Sequence, residues 1–225
     1  MGNLILSLIF LISSILGGAV PDDAGRFAAA NSGPVFSISA INGAVLERIE
    51  GVSWKPGCPV GIDDLRLLSL SYIDFDGNEN VGELICHNSV AEDLTEIFRE
   101  LYEMRFPIGN MRLIDDYGAD DLLSMEANNT SSFNYRTVSD SSNLSRHAYG
   151  VAVDINPVQN PYTEDGGAYV SPESGREYAD RGDVRPGMVT RGGAVYDAFV
   201  SRGWFWGGDW KYQIDYQHFQ KDVPK

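Results

Sequence analysis

The spacing of apolar positions predicts a β-hairpin in the first half of the chain. Residues 65–75 are rich in Leu, Ile and Tyr and predict a strand, and residues 81–87 predict the strand that returns beside it. Residues 74–78 (Asp-Phe-Asp-Gly-Asn) have the composition of a tight turn. Together these features predict two antiparallel strands joined by a short connection.

Apolar residues at three- and four-residue spacing predict helices in three other segments. The clearest helix begins at Ser89, which forms a capping box with Glu92, and it ends before Phe106–Pro107. A mixed but roughly helical spacing spans residues 36–50, and residues 195–200 predict a short helix. The apolar face of the clearest helix consists of Val90, Leu94, Ile97, Phe98 and Leu101.

Three further segments lack a clear period. Residues 111–114 are a candidate for a short strand, and residues 204–210 have the composition of an aromatic, Gly-rich turn. Residues 156–190 are rich in Gly, Pro, Asp and Tyr. A loop of this length inside a compact domain is usually functional. Because it follows directly after Asp154, we expect it to form the rim of a cleft.

Composition limits the size and the partners of the protein. The chain has 225 residues, of which 43% are apolar and 22% charged, enough for one packed domain and hardly enough for two. A formal charge of −15 and a pI near 4.4 disfavour binding to nucleic acid or to anionic lipid headgroups. Recognition of an anionic substrate would therefore need a local pocket.

The N-terminus predicts export. An apolar run at Leu4–Leu16, followed by Gly17-Gly18-Ala19, is typical of a signal peptide that is cleaved after Ala19. We therefore expect a signal peptide at residues 1–19, a flexible lead at 20–34 and one domain at 35–225. The protein would be secreted to the periplasm or cell wall, with no stable membrane insertion after cleavage. A retained membrane anchor is the alternative.

The two cysteines, Cys58 and Cys86, fit an exported protein with one possible disulfide. They fit two unpaired thiols as well. Their spacing is not the CxxC of a zinc knuckle.

The stretch Ser145–Asn156 concentrates the chemistry of the chain. It contains His147, one of three histidines, and Asp154, with a Gly and small or β-branched residues between them. This pattern predicts a turn that runs into a buried strand, with both ends facing one point. Another histidine, His218, lies near the C-terminus. Because zinc takes nitrogen and carboxylate ligands, these three side chains could form a zinc site.

Asp215 lies three residues before His218 and could act as a general base beside the metal. In an extended segment the two side chains would point to opposite faces, so a bend is required to bring both to the metal. The remaining histidine, His87, ends a predicted strand and has no acidic residue at a spacing that would suggest a metal or catalytic pair. We interpret it as structural.

The motif around His147 resembles the SxHxxGxAxD signature of the zinc D-alanyl-D-alanine peptidases, since residues 145–155 read Ser-Arg-His-Ala-Tyr-Gly-Val-Ala-Val-Asp-Ile. This group includes VanY-type carboxypeptidases, vancomycin-resistance dipeptidases and phage L-alanyl-D-glutamate endopeptidases. Residues 203–210 and 215–219 resemble its C-terminal half, and residues 129–136 resemble the segment that carries its substrate arginine. The resemblance covers roughly residues 50–220.

The resemblance implies an α+β fold, a hedgehog-like antiparallel sheet with flanking helices and a single zinc site. It implies that Asp215 is the general base, although many relatives carry Glu there. Arg136 would pair with a substrate carboxylate, because its planar fork suits that task. Ser145 would hydrogen-bond substrate or orient the metal site, and otherwise it would cap a turn. The implied Zn²⁺ ligands are His147, Asp154 and His218.

Two other positions bear on this site. Gly150 would permit a close approach of the chain to the site. Gln220 stands where the resemblance leads us to expect Glu. We expect this residue to lie behind the ligands, so the departure does not argue against activity.

The sequence thus predicts an exported, zinc-dependent D-alanyl-D-alanine carboxypeptidase that acts on peptidoglycan stem peptides, with no nucleic-acid partner and with its oligomeric state left open. The nearest alternative is an L-alanyl-D-glutamate endopeptidase that uses the same site. A non-catalytic, hedgehog-like zinc binding module is a second alternative, and a secreted domain without a metal is a third. The presence of both Asp215 and Arg136 favours catalysis.

Overall fold

The structure, a computed structural model, describes residues 33–139 and 141–222. The predicted signal peptide at 1–19 and residues 20–32 of the predicted lead lie outside the described residues. Within the described ranges, no helix has the length and apolar composition needed to cross a membrane.

The predicted hairpin forms the centre of a three-stranded antiparallel sheet. Strands β2 (Leu65–Ile73) and β3 (Glu79–His87) pair with each other, and β1 (Phe36–Ala40) pairs with β2, which gives the order β1-β2-β3. In the connecting turn, an oxygen of the Asp74 carboxylate accepts two backbone N–H hydrogen bonds, both at 2.9 Å. The two predicted strands and their turn are confirmed to within a few residues.

The clearest predicted helix is α2 (Asn88–Glu103), and its apolar face packs on this sheet. Its N-cap is His87, whose ring Nδ1 accepts a hydrogen bond from the Ser89 N–H at 3.2 Å. The predicted capping box of Ser89 and Glu92 is therefore wrong. Because β3 runs into α2 without a loop, the last extended residue occupies the cap position instead of Ser89. This contact gives His87 the structural role expected of it.

Residues 36–50 form a strand and a helix instead of one helix. The helical prediction is wrong for residues 36–40, because pairing with β2 outweighs their helical spacing. Helix α1 (Gly43–Ile49) follows, and the side chain of its N-cap Asn42 accepts a hydrogen bond from the Val45 N–H at 3.0 Å.

A second antiparallel sheet carries the candidate site. Its strand order is β6 (Ala152–Asp154), β11 (His218–Lys221) and β9 (Trp204–Trp206). The turn expected at 204–210 is wrong for its first three residues, because burial of both Trp side chains of β9 in the core favours an extended strand. Helix α4 (Ala194–Val200), the predicted short helix, packs against β9.

Short elements occupy the segments that lack a clear period. Strand β4 (Asn110–Met111) pairs in parallel with β5 (Asn129–Thr130), so the strand expected at 111–114 ends at its first residue. Helix α3 (Asp121–Glu126) lies between these two strands in the chain, and its N-cap is Asp120.

The loop expected at 156–190 also contains regular structure. Strands β7 (Tyr162–Glu164) and β8 (Tyr169–Ser171) pair antiparallel, and β10 (Ile214–Asp215) pairs with β7 in the same small sheet. The segment after Asp154 is thereby joined to the segment that carries Asp215.

The two halves of the chain share one core. The largest cluster of buried side chains combines residues of β2, β3 and α2 with residues of β6, β9, β11 and α4. This mixture of helices and antiparallel sheet agrees with the predicted α+β class. Both cysteines are free, with Cys86 in the large cluster and Cys58 packed against a smaller one.

Candidate metal centre

A short turn delivers His147 to the start of β6. Ser145 is the N-cap of a 3₁₀ turn at Arg146–Tyr149, and its hydroxyl oxygen accepts a hydrogen bond from the His147 N–H at 3.3 Å. Gly150 ends the turn in the left-handed region with φ +67°. The predicted sequence of a turn followed by a buried strand is confirmed.

The close approach that Gly150 permits is to a different part of the chain than expected. A Cβ atom at this position would lie 2.6 Å from the backbone nitrogen of His87, which donates a hydrogen bond to the Gly150 carbonyl at 2.8 Å. Gly150 thus packs the turn against the junction of β3 and α2. This contact fixes the turn that carries His147 onto the first sheet.

The register of the second sheet brings Asp154 and His218 together. Strand β11 runs antiparallel to β6, and His218 lies opposite Asp154. Residues that lie opposite each other in an antiparallel pair project to the same face of the sheet. His147 approaches the same face from the turn before β6.

Potential ligand atoms of three side chains converge at this point. His147 Nε2 lies 3.2 Å from Asp154 Oδ2 and 3.2 Å from His218 Nδ1, and His218 Nδ1 lies 2.9 Å from Asp154 Oδ1. All three side chains are buried, with residue exposures of 3%, 6% and 6%. They are the group of metal-ligating side chains in the described residues that could hold one ion.

The other nitrogen of each imidazole ring has its own acceptor. His147 Nδ1 donates to the Ser132 carbonyl at 2.5 Å, and His218 Nε2 donates to Gln220 Oε1 at 3.1 Å. These bonds hold a proton on each outer nitrogen, so the inner nitrogens, once they are deprotonated, are the atoms available to a metal. Gln220 therefore lies behind a ligand, as expected, and its amide oxygen can accept the bond that a Glu carboxylate would accept.

The donor set fits a zinc ion. Two imidazole nitrogens and one carboxylate, with a fourth position left for water or substrate, is a set found in catalytic zinc sites. Ligand atoms at tetrahedral angles and usual zinc distances are separated by about 3.3 Å. The observed separations of 2.9–3.2 Å are close to this value.

The charges of the three side chains keep Asp154 ionised, which favours the binding of a cation. Burial alone would raise the pKa of the Asp154 carboxyl, but the adjacent His147 and His218 outweigh burial and hold this pKa well below its usual range. Burial lowers the pKa of His218, and the hydrogen bond and charge of Asp154 reverse that effect and raise the pKa to about 8. Without metal, the cluster therefore holds a proton that a divalent cation would displace.

Asp215 reaches the same region from a different sheet. It ends β10, and after Tyr216 and Gln217 the chain enters β11 at His218. The bend predicted between Asp215 and His218 is confirmed, because β10 and β11 belong to different sheets.

Asp215 is half-buried, with its carboxyl oxygen Oδ1 buried and without a hydrogen-bond partner among the described residues, and the carboxyl group interacts electrostatically with the three candidate ligands. Burial raises its pKa well above the usual range of Asp, and the negative charge of Asp154 adds to this effect. A Cβ atom at Gly207 would lie 2.5 Å from the Asp215 carbonyl oxygen, so the glycine allows this strand to pack closely. A carboxyl group with a raised pKa beside metal ligands can hold and release a proton.

Arg136 and Ser145 lie next to each other but outside the cluster of ligand atoms. The Ser145 N–H donates to the Arg136 carbonyl at 3.1 Å. The Arg136 guanidinium forms an ion pair with Asp121 of α3, with Nη2 to Oδ2 at 2.8 Å. The Ser145 hydroxyl is used as a cap, which is the alternative that the sequence left open for it.

The sequence reasoning missed the Ser132 carbonyl, which orients His147. A backbone acceptor has no side-chain signature, so no motif could have identified it. The three candidate ligands, in contrast, were named from their residue types, their spacing and the family resemblance.

Residues 139–221 match the family model for D-alanyl-D-alanine carboxypeptidase. The resemblance to this peptidase family, predicted from the sequence motifs, is confirmed over this segment, and the match supports a metallopeptidase. The segment contains the three candidate ligands and Asp215, whereas Arg136 lies just before it. A search of curated proteins and a search of solved structures each gave no match.

Proposed function

We propose that the protein is a zinc-dependent D-alanyl-D-alanine carboxypeptidase that removes the terminal D-alanine from peptidoglycan stem peptides. One observation carries the proposal: a buried His-Asp-His group with the geometry of a zinc site lies beside a buried carboxyl group, within a segment that matches this peptidase family. We extend the proposal to the finer fold class, a hedgehog-like zinc fold, which the same residues support.

His147 would hold Zn²⁺ through Nε2, His218 through Nδ1 and Asp154 through its carboxylate. Bound zinc supplies a Lewis acid that polarises the scissile carbonyl and lowers the pKa of water. The bonds from His147 to the Ser132 carbonyl and from His218 to Gln220 keep both rings oriented.

Asp215 is the proposed proton carrier. As a carboxylate it takes a proton from the attacking water, and as a carboxylic acid it donates that proton to the departing amine. Burial raises the pKa of Asp215, which favours retention of the proton between these two steps. Arg136 would bind the terminal carboxylate of the substrate through its guanidinium.

An L-alanyl-D-glutamate endopeptidase is the second candidate, because it would use the same three ligands and Asp215, and the ion pair of Arg136 with Asp121 does not separate the two reactions. A carboxylate of the protein already contacts this guanidinium at 2.8 Å, so a free carboxylate at the end of a substrate has to compete with it. A D-glutamyl residue after the scissile bond also carries a free carboxylate, so this competition applies to both reactions.

Digestion of purified muropeptides, analysed by mass spectrometry with and without chelator, tests the proposal. We expect free D-alanine, and we expect chelator to abolish its release. Cleavage between L-alanine and D-glutamate would favour the second candidate. Stoichiometric zinc without any cleavage would favour a non-catalytic zinc binding module.

We also propose that the protein is exported, since a peptidase acting on the cell wall has its substrate outside the cytoplasm. The apolar N-terminal run and the small residues before Val20 support this. Mass spectrometry of the protein from its source should find a mature N-terminus at Val20.

A further inference from the structure

The bend between Asp215 and His218 joins two sheets. Asp215 ends β10, which pairs with β7, and His218 begins β11 in the sheet of the metal cluster. Only Tyr216 and Gln217 lie between them. A displacement of these two residues would therefore move the proposed proton carrier and a candidate ligand together.

The sheet of the metal cluster anchors the backbone of the bend. The Tyr216 carbonyl accepts a hydrogen bond from Trp206 Nε1 at 2.9 Å, and the centroids of the two rings lie 5.9 Å apart. The Gln217 carbonyl accepts a hydrogen bond at 3.0 Å from the N–H of Ile155, which directly follows β6. These contacts come from β9 and from the end of β6.

Arg181 contacts the same bend from the segment 156–190. The central carbon of its guanidinium group lies 4.3 Å from the centroid of the Tyr216 ring. At this distance a cation over an aromatic ring is attracted to it. Tyr216 is therefore held both by the sheet of the metal cluster and by the segment that follows Asp154.

The guanidinium group of Arg181 is itself firmly held. Its two terminal nitrogens donate four hydrogen bonds of 2.5–3.3 Å, to the carbonyls of Gln159, Tyr178 and Val189 and to Asn160 Oδ1. A planar group with several donors in a fixed fork can collect acceptors from separate parts of a loop in this way. Arg181 thus gathers the segment 156–190 around one point and presents that point to Tyr216.

The chemistry of these contacts excludes a substrate role for the terminal donors of Arg181. None of the four bonds goes to a carboxylate, and burial lowers the pKa of Arg181 to about 10, which leaves the group charged at neutral pH. Because both terminal nitrogens already donate twice, no terminal N–H is left for a carboxylate of the substrate. The contact through which Arg181 can affect the site is the one with Tyr216.

We propose that Arg181 is a positioning residue for the metal centre: by holding the Tyr216 ring, it fixes the bend that places the Asp215 carboxyl group relative to the His218 imidazole. This inference rests on the zinc site and the reaction proposed above. The segment 156–190, which the sequence predicts as the rim of a cleft, would then support the bend from behind.

Replacement of Arg181 by Met tests this role, because it removes the four donors and the positive charge but keeps an unbranched side chain. Residues that orient metal ligands typically contribute about tenfold to a hundredfold to metal affinity or activity. We expect Arg181→Met to weaken zinc binding by about tenfold or more, through His218. At saturating zinc, kcat on a peptide ending in D-alanyl-D-alanine should fall by about tenfold or more, through Asp215, with KM little changed.

Arg185→Met is the matched control. Arg185 lies in the same segment and its guanidinium carbon lies 4.0 Å from the centroid of the Tyr178 ring, so the substitution also removes an arginine that stacks on a tyrosine. Its side-chain contacts among the described residues are with Glu177, Tyr178 and Asp183, not with the bend. Zinc affinity, measured by competition with a chromophoric chelator, and kcat should therefore stay near the wild-type values.

A double-mutant cycle with Tyr216→Leu shows whether Arg181 acts through the ring. The two substitutions break one contact, so the double variant should lose no more than the more affected single variant. Tyr216→Phe keeps the ring and should behave like the wild type. Tyr216→Leu also tests the contact if Arg181→Met does not fold, because it leaves the four hydrogen bonds of Arg181 in place.

The inference would be overturned by a folded Arg181→Met protein that matches Arg185→Met in zinc affinity and kcat, or by losses that add in the double variant. If Arg181→Met does not fold, wild-type zinc affinity and kcat in Tyr216→Leu would overturn it as well. If the wild-type protein binds zinc but hydrolyses no peptide, the carboxypeptidase proposal fails, and the zinc affinities of the same variants still decide whether Arg181 positions His218. A wild-type protein that binds no zinc would overturn both.

Discussion

At the scale of single residues, Asp215 is distinguished from the acidic surface by its surroundings. Its carboxyl group is buried near a second carboxyl group, Asp154, and both conditions raise its pKa. A structural carboxylate in such a place would be unfavourable without a compensating function. The raised pKa therefore favours a role in proton transfer over one in folding.

Replacement of Asp215 by Ala should abolish most of the peptidase activity while zinc binding persists. General acid–base groups contribute about 10²- to 10⁴-fold to rates, so we expect kcat to fall by that order with KM little changed. Muropeptide hydrolysis and zinc content, measured on the same preparation, check the prediction. Unchanged hydrolysis in a zinc-loaded Asp215→Ala protein would remove Asp215 from the mechanism.

Arg136 has a prediction of its own, because its ion pair with Asp121 allows two interpretations. If Arg136 binds the terminal carboxylate, Arg136→Gln should raise KM for a peptide with a free C-terminus by about tenfold to a hundredfold. A matched peptide with an amidated C-terminus should be affected little. Asp121→Asn serves as the control, since it removes the competing carboxylate of the protein and should lower KM for the free acid.

An Arg136→Gln variant that lost the same activity on both peptides would indicate that Arg136 acts only through its ion pair with α3.

The residue scale also shows what the sequence could reveal about the site. Two histidines and an aspartate are residue types that bind zinc, and the resemblance of residues 145–155 to the peptidase motif supported the prediction that His147, Asp154 and His218 act together. The Ser132 carbonyl was not, because any residue can supply a backbone acceptor. The sequence left two roles open for Ser145, because a hydroxyl group can cap a turn or hydrogen-bond a ligand.

At the scale of elements, the turn before β6 determines where His147 lies. Gly150 ends this turn with φ +67°. A Cβ atom placed at this position would lie 2.6 Å from the His87 backbone nitrogen. Gly118 ends a similar 3₁₀ turn at Ile114–Tyr117 with φ +66°, but nothing lies within 4 Å of its absent Cβ. The two glycines therefore share a backbone conformation and differ in their contacts.

Gly150→Ala should destabilise the protein more than Gly118→Ala. The left-handed conformation costs each alanine about 1–2 kcal/mol, and the collision with the His87 backbone adds about 1–3 kcal/mol for Gly150→Ala alone. Chemical denaturation of both variants measures the difference. We expect Gly150→Ala also to weaken zinc binding, because the new Cβ would push the turn that carries His147 away from the junction of β3 and α2. Equal destabilisation by the two substitutions would contradict the packing role of Gly150.

Elements that sequence reasoning misplaced have a common physical cause. Residues 36–40 show helical spacing, yet they pair with β2 because the hairpin offers an unpaired edge. Trp204–Trp206 looks like a turn by composition, yet it is a strand because both indoles enter the core. In each case contacts with residues distant in sequence outweighed the local conformational preference of the segment. The spacing of residues within the segment does not show such contacts. The hairpin and α2 were predictable because their local patterns agree with their tertiary contacts.

At the scale of the whole molecule, the metal cluster joins segments that are far apart in the chain. His147 and Asp154 follow the turn, His218 begins β11, and all three lie at one end of a sheet whose strands are part of the large core. Without a cation, the mutual attraction of this cluster depends on a shared proton. The stability of the domain should therefore depend on pH and on zinc together.

Zinc should stabilise the protein more as the pH rises. The folded-state pKa of His218 is raised to about 8, above the ordinary value of about 6.5. Protonation of His218 thus stabilises the metal-free fold fully below about pH 6.5, and this contribution of about 2 kcal/mol is lost as the pH rises through about 8. Asp215, whose folded-state pKa is also raised, changes stability in the same direction. A bound zinc ion takes the place of the proton, so the zinc-loaded fold escapes this loss.

Thermal unfolding with saturating zinc and with chelator, measured at several pH values across this range, gives the comparison. The difference in Tm should widen with rising pH, and calorimetry in buffers of different ionisation enthalpy should detect proton release on zinc binding. His147→Gln, which removes one ligand, is the control and should show a much smaller difference at every pH. If chelator left Tm unchanged throughout, the cluster would be a hydrogen-bonded part of the core without a metal, and the secreted domain that needs no zinc would become the better description.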